Sequence, residues 1–331
     1  ILARSYGVPF LHATDPALIQ TLQAALNHDI LLRVIEPIGI DDLRPRVKAI
    51  DVEGIDPALK TEIRSLKYVP ALAIQPRARC GAYSLPVDPL TPADIRHVGG
   101  KAANSGFLRR TIPDHSPSPA IAFTFDLWDD YLQQTLPTGQ TLAAEISARI
   151  SRYAYPADRT ALAIDLAEIR RWITDVADFS PAQRAAILEA LAVFAPGQPI
   201  RFRSSTNVED TELFVGAGLY DSFSGCLLDD LDDNDAGPCR CDPAESKERG
   251  VFRAIRKVFA SFYNDYAVIE RLRHRVDESA VGMAVLVHHS FPDEIELANG
   301  VATAVCSRAG DSRRLETTMV TQKGAVPVAN P

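Results

Sequence analysis

Residues 98–110 read VGGKAANSGFLRR. Two adjacent glycines let a backbone turn tightly and come close to a neighbour. A Gly-Gly turn followed by a helix is the local reading, with Lys101 at the helix start. A helix N-terminus offers free N–H groups and a field that favours anions, and Lys101 adds a positive charge there. The stretch has two readings, a phosphate-binding turn or an ordinary Gly-Gly-Lys surface turn. It is not a Walker A loop, because the spacing and the Lys-Ser/Thr pair of that loop are missing.

A second stretch, residues 201–212, reads RFRSSTNVEDTE. PIRFRSS has strand-like composition, so Arg203 follows a buried strand and can offer a bidentate fork to phosphate oxygens. Ser204, Ser205 and Thr206 add hydroxyl groups. The alternative is an arginine paired with Glu209 or Asp210 in a solvated turn. A third stretch, FVGAGLYDSFSG at 214–225, places Gly216 and Gly218 in a loop able to close over phosphates. A hairpin turn between two strands fits the same letters.

The remaining chain supplies helices near 126–135, 141–153 and 160–178 and a fourth from Ser180. Ser180 is a candidate N-cap, Pro181 suits the first turn, and Gln183 completes a capping box. SPAIAFTF, LYDSFSGCLL, VGMAVLVHH and GVATAVCS read as strands. Residues 245–273 read as one long amphipathic helix, with Phe252, Ile255, Phe259, Phe262 and Tyr266 as its core stripe. His288 and His289 are adjacent in a strand and so point to opposite faces, which argues against a shared metal.

The chain has 331 residues, enough for two domains, with 46% hydrophobic and 24% charged residues. A net charge of -8 argues against general affinity for nucleic acid or anionic membrane. No apolar run is long enough for a membrane span. The five cysteines, Cys80, Cys226, Cys239, Cys241 and Cys306, form an odd, scattered set that does not suggest a disulfide framework. Cys239 and Cys241 lie in an acidic stretch without histidine, which reads as a solvated loop rather than a metal site. A reducing, cytoplasmic setting is the expectation. The chain starts at Ile1 and ends at Asn330-Pro331, which reads as a piece of a longer protein whose N-terminal part is missing.

Taken in order, VGGKAANSG, RSSTNVED, GAGLYDSF, AVLVHHSF and NGVATA resemble the ATP-binding (PEP/pyruvate-binding) domain of the phosphoenolpyruvate synthase and pyruvate phosphate dikinase family. That family also includes glucan water dikinases and rifampicin phosphotransferases. The resemblance runs from about residue 95 to 306. It implies an α/β (α+β), ATP-grasp-like nucleotide-binding domain with ATP and Mg²⁺ as cofactors. It also implies a phosphotransferase that passes phosphate from ATP to a histidine on a separate swivelling domain, and then to an acceptor the sequence does not name. Carried over residue by residue, Lys101 and Arg203 contact ATP phosphates with Ser204 beside them. Gly216, Gly218 and Asp221 lie in the covering loop. Glu316 is the acidic residue that meets Mg-ATP, and Gln322 lies near the nucleotide.

ILARSYGVPFLHA at 1–13 resembles the segment after the phosphorylated histidine of a swivelling domain, through Ala3-Arg4 and Val8-Pro9. Neither His12 nor His28 fits the place of that histidine. The implied organisation is a swivelling-domain remnant at 1–50, a linker at 51–90 and the nucleotide-binding domain at 91–331, with subdomains 91–198 and 199–331. Histidine domain before ATP domain is the order of the glucan water dikinases. Two departures stand out. A histidine, His288 or His289, replaces the family's glutamine, and Val328 and Asn330 stand where a Gln-x-Arg pair is expected. A degenerate, non-catalytic nucleotide-binding or scaffolding domain is therefore the alternative. The chain alone is expected to bind nucleotide without completing phosphotransfer.

Overall fold

The structure is a computed structural model. It describes residues 14–26, 28–35, 46–65, 69–112, 119–209, 214, 216, 218–232, 234, 236–290, 297–309 and 312–323. The chain divides into two compact units, residues 1–70 and 71–331.

In the first unit, helix α1 (Pro16–Ala24) starts where Asp15 accepts the Ala17 N–H at 2.9 Å, with proline in the first turn. Strands β1 (Ile30–Ile35) and β2 (Arg46–Asp51) pair antiparallel, with Ile30 opposite Asp51. Helix α2 (Pro57–Ser65) follows. Residues 1–13, which carry the likeness to a swivelling domain, lie outside the described residues, His12 among them.

The second unit mixes helix and sheet. Its main sheet has five strands in the order β3 (Ser84–Pro86), β4 (Ala120–Phe123), β7 (Met283–His289), β5 (Ile200–Thr206) and β6 (Ser222–Gly225). Every neighbouring pair is antiparallel. Helix α3 (Ile95–Thr111) lies between β3 and β4 in the chain, and α4 (Phe125–Leu132), α5 (Leu142–Ile150), α6 (Arg159–Arg171) and α7 (Pro181–Leu191) lie between β4 and β5. Helices α8 (Val251–Ser261) and α9 (Asp265–Arg273) precede β7. A separate antiparallel hairpin, β8 (Ala298–Ala309) and β9 (Ser312–Lys323), follows.

The stretch expected as a linker, 51–90, thus contains α2 and β3, and the division between units falls at 70/71. Because β4 pairs with β7, segments from either side of residue 198 share one sheet.

Strand alternation decides which side chains meet which layer. On β5, Ile200 and Phe202 are buried, Arg201 is half-buried and Arg203 is exposed. The Phe202 side is covered by α8, whose Val251 and Ala254 lie beside Gly225 and the Phe202 ring. Facing residues of adjacent strands share a side. Ala120 faces His288, Ala122 faces Leu286, Leu286 faces Arg203, and His288 faces Arg201. These six residues therefore share the other side. There α3 buries Val98, Ala102 and Ala103 against Ala120, Ala122 and Leu286. Helix α3 covers the β4 and β7 part of this side, and β5 carries its two arginines beside it.

Of the expected core stripe, Phe252, Ile255, Phe259 and Phe262 are buried and Tyr266 is half-buried. Trp128 on α4 meets the Phe259 ring edge-on at 5.0 Å. The single long helix expected over 245–273 is corrected. Residues before Val251 form a loop, and the chain breaks again at Asn264, whose backbone is extended (φ -62°, ψ 141°). The Asn264 side chain donates to the Leu219 carbonyl at 3.1 Å and to Asp221 at 2.9 Å, so the break serves an anchoring contact.

Among the described residues no helix is long and apolar enough to cross a membrane. The cysteines, which in sequence do not suggest a disulfide framework, include one pair, since Cys226 and Cys241 form a disulfide with Cα atoms 5.7 Å apart. The intervening loop folds back on itself, which spacing alone does not reveal. Cys226 N–H donates to the Arg249 carbonyl at 2.7 Å and Cys239 N–H to the Glu245 carbonyl at 3.0 Å.

The α7 capping box is present, with Ser180 Oγ accepting from Gln183 N–H at 3.3 Å and Gln183 Oε1 from Ser180 N–H at 2.8 Å. Ser180→Ala is expected to lower stability by about 1 kcal/mol, read as a reduced urea midpoint at constant m-value.

Candidate functional site

The helical run of α3 is interrupted at Gly99, where φ is 76° and ψ is 172°. This conformation is open to glycine and strained for residues with a Cβ. The reason is contact: a Cβ on Gly99 would lie closer than 3.0 Å to the carbonyl oxygen of Ser205. The glycine lets the turn sit directly on the end of β5, and the helix resumes at Gly100. Lys101 therefore stands in its first turn.

Ser205 locks this junction. Its hydroxyl donates to the Val98 carbonyl at 2.7 Å and accepts the Ala102 N–H at 3.0 Å. The expectation of a free helix N-terminus needs adjusting at this point, because Ser205 already takes one of the N–H groups that a helix start leaves unpaired.

Lys101 Nζ donates to Ser204 Oγ at 3.2 Å and forms an ion pair with Glu209. Glu209 is buried, and its other carboxylate oxygen accepts from Thr206 N–H at 3.3 Å and Thr206 Oγ1 at 3.2 Å. Glu209 N–H in turn donates to Thr206 Oγ1 at 3.0 Å, which bends the chain so that the carboxylate points back at the lysine. The pairing of Glu209 with Arg203, one of the alternatives for RFRSSTNVEDTE, is thus replaced by pairing with Lys101. Asp210, the other alternative, lies outside the described residues.

Gly216 comes to the same place, since a Cβ on it would lie closer than 3.0 Å to Glu209 Cγ. Lys101, Ser204, Glu209 and Gly216 form one cluster from two distant stretches of chain. Asn207 holds its base. Its amide donates to the carbonyls of Gln75 and Ala280, both at 2.9 Å, and its oxygen accepts Gly282 N–H at 3.1 Å.

Arg203 is exposed on β5, opposite Ser222 on β6 and Leu286 on β7. Among the described residues it forms no ion pair. Arg201 shares its side and donates to Ser224 Oγ at 3.2 Å. Burial, and then the charge of Arg203, lowers the Arg201 guanidinium pKa. Burial also pushes His288 below the usual histidine range, against a hydrogen bond to the His289 carbonyl, with Arg203 and Arg201 adding to the drop. The result is two guanidiniums beside a histidine held toward its neutral form, a sheet surface suited to an anion.

Gly218 has φ 77° and starts the turn that leads to Asp221. Asp221 is held by Asn264. Glu316 and Gln322 lie elsewhere, both exposed on β9 of the separate hairpin, opposite Val305 and Asn299. Six residues apart on one strand, they share a face. The structure thus brings Lys101, Ser204 and Gly216 together, sets Arg203 next to Ser204 on the strand, and places Glu316 and Gln322 on another sheet. Among the described residues Glu316 belongs to no group of three metal-ligating side chains.

Two contributors, Arg201 and Asn207, carry no role in the sequence reading, and two others, Ser205 and Glu209, carry different ones there, although all four lie in the same quoted stretch. The signal for Arg201 was the two-residue spacing to Arg203. For Glu209 there was no signal in spacing, because its partner lies on α3.

A model of the pyruvate phosphate dikinase AMP/ATP-binding domain matches residues 95–322, which contain all of these groups. The chain belongs to this family. Residues 95–322 are accordingly a dikinase-type ATP-binding module. Phosphoenolpyruvate synthase of Pseudomonas aeruginosa is 26% identical over 226 residues, covering 67% of this chain and 25% of that protein. Rifampicin phosphotransferase of Streptomyces sviceus is 28% identical over 212 residues, covering 63% of this chain and 21% of that protein. Phosphoenolpyruvate synthase of Escherichia coli is 26% identical over 222 residues, covering 66% and 25%. The chain spans about a quarter of the length of these relatives.

Proposed function

We propose that the second unit is the ATP-grasp-like nucleotide module of a dikinase-type phosphotransferase. In this reading the phosphates of ATP lie between Lys101 and the Arg201–Arg203 face of β5. The observation that carries it is the convergence of Lys101, Ser204 and Gly216 at the end of the strand that presents Arg203. Arg203 supplies a fork for phosphate oxygens, and its exposure leaves that fork accessible. Lys101 is already balanced by Glu209, so a phosphate oxygen would share or displace the carboxylate. Such a site works by positioning and charge neutralisation. The phosphate then passes to a histidine on a separate domain and on to an acceptor.

Mg²⁺ is usually held by one or two carboxylates together with substrate phosphates. Glu316, on its separate hairpin, does not by itself meet that need, and we assign no step to a metal.

A second reading, a nucleotide-binding domain without phosphotransfer, is favoured by the placement of Glu316 and Gln322 on the hairpin. The two readings share ATP binding and part at turnover. ATP/AMP exchange by the full-length protein separates them.

Arg203→Ala tests the shared step. ATP affinity is expected to fall by about 2 kcal/mol, roughly thirtyfold, as a charge-assisted fork is lost. Stability is expected to stay unchanged, because Arg203 is exposed. Titration calorimetry giving wild-type affinity in the folded variant would remove Arg203 from the site.

A further inference from the structure

The loop after β6 gathers chemistry that nucleotide binding does not use. The sulfurs of Cys226 and Cys239 and a carboxylate oxygen of Asp229 all lie within 4.8 Å of one another, and all three residues are buried. Cys241 is bonded to Cys226, which puts a third sulfur at the same place. The Cys239-Arg240-Cys241 stretch is thus no solvated loop at its first cysteine.

These donors match one ion. Zinc prefers four ligands in a tetrahedron, with Zn–S bonds of about 2.3 Å, which sets neighbouring donors about 3.8 Å apart. The Cys226, Cys239 and Asp229 donors already lie within 4.8 Å of one another, and reduction frees the Cys241 sulfur to move apart from that of Cys226. The backbone around the donors is already fixed. Asp229 accepts Arg240 N–H at 2.8 Å on one oxygen and Arg249 N–H at 2.7 Å on the other. Cys226 and Cys239 each donate a backbone hydrogen bond within the same loop. Outer contacts of this kind orient metal ligands and support affinity.

We propose that in the reduced chain Cys226, Cys239, Cys241 and Asp229 bind one zinc ion, and that the Cys226–Cys241 disulfide is the metal-free, oxidised form of the same site. A dithiol reductant supplies the two electrons and two protons that split the disulfide, and leaves as a disulfide itself. Zinc binding then forms three Zn–S bonds and one Zn–O bond and releases three thiol protons to solvent. Cys226 directly follows Gly225, the last residue of β6, and that strand carries Ser222 and Ser224 beside Arg203 and Arg201. The ion therefore fastens the end of edge strand β6, the neighbour of the strand that bears the two arginines.

The test uses the whole 331-residue chain, stripped of metal with a chelator and reduced with a phosphine. Titration with Co²⁺ is expected to give one equivalent bound, with tetrahedral d–d absorption and a thiolate-to-cobalt charge-transfer band. One equivalent of Zn²⁺ is expected to bleach both. The unreduced chain is expected to show neither. Cys239→Ser leaves the disulfide pair intact, so its fold can be checked in the oxidised state. Once reduced, it is expected to lose more than about tenfold in Zn²⁺ affinity, and Cys241→Ser the same. Absence of stoichiometric Co²⁺ uptake by the reduced wild-type chain overturns the proposal. So does wild-type affinity in Cys239→Ser, or recovery of a Cys226–Cys239 disulfide with no metal bound.

Discussion

Gly99→Ala is expected to destabilise the second unit by about 4 kcal/mol, combining backbone strain with a steric clash. At φ 76° and ψ 172° the alanine is strained before any neighbour is counted. Its methyl group would then meet the Ser205 carbonyl oxygen closer than 3.0 Å. That oxygen belongs to the β5 backbone, which is paired with β7 and has no free direction of retreat. Gly100→Ala is the control within the same dipeptide. A Cβ there would meet the Glu209 carbonyl at 3.5 Å and the Thr206 carbonyl at 3.7 Å, both ordinary contacts, inside a helix turn that favours alanine over glycine. Urea unfolding of the two variants should separate them widely. A Gly99→Ala midpoint equal to that of Gly100→Ala would show that the turn relaxes freely and that its docking on β5 is not tight.

Lys101→Met is expected to cost about 3 kcal/mol of stability, because it leaves Glu209 as a buried carboxylate without its cation. ATP binding should be lost as well. These losses have different origins, and a second substitution separates them. In the double variant with Glu209→Gln, the buried charge is gone and a neutral amide can still accept from Thr206. Stability should return to within about 1 kcal/mol of wild type. ATP affinity should not return, since no positive charge remains at the helix start. If calorimetry finds affinity restored along with stability, Lys101 is only the counter-ion of Glu209, and the phosphates bind elsewhere.

What could be read from sequence follows the range of the interaction. The capping box at Ser180 and the strand at PIRFRSS depend on near neighbours, and both stand in the structure. The Gly99-Gly100-Lys101 turn was legible as a place of close approach, but not as a place that approaches Ser205. The helix break at Asn264 was hidden because apolar residues keep helical spacing across it, while its cause lies at Leu219 and Asp221. Glu209 was misassigned for the same reason. A carboxylate six residues after Arg203 has no preference in sequence between that arginine and a lysine on α3. The cysteine pair needed the fold of its whole loop, which no periodicity encodes.

The strand order has a consequence for how this protein comes into being. Strand β7 lies between β4 and β5, yet it is the last of the five to be synthesised. Until Met283–His289 leaves the ribosome, β4 and β5 each hold an open edge, and open edges recruit wrong partners. Leu286 alone is the neighbour of both Ala122 and Arg203. A chain halted between Glu209 and Leu286 would own both the Gly99–Lys101 turn and the β5 stretch and lack the strand that joins β4 to β5. Chaperone demand during translation should therefore persist until β7 emerges and then fall sharply.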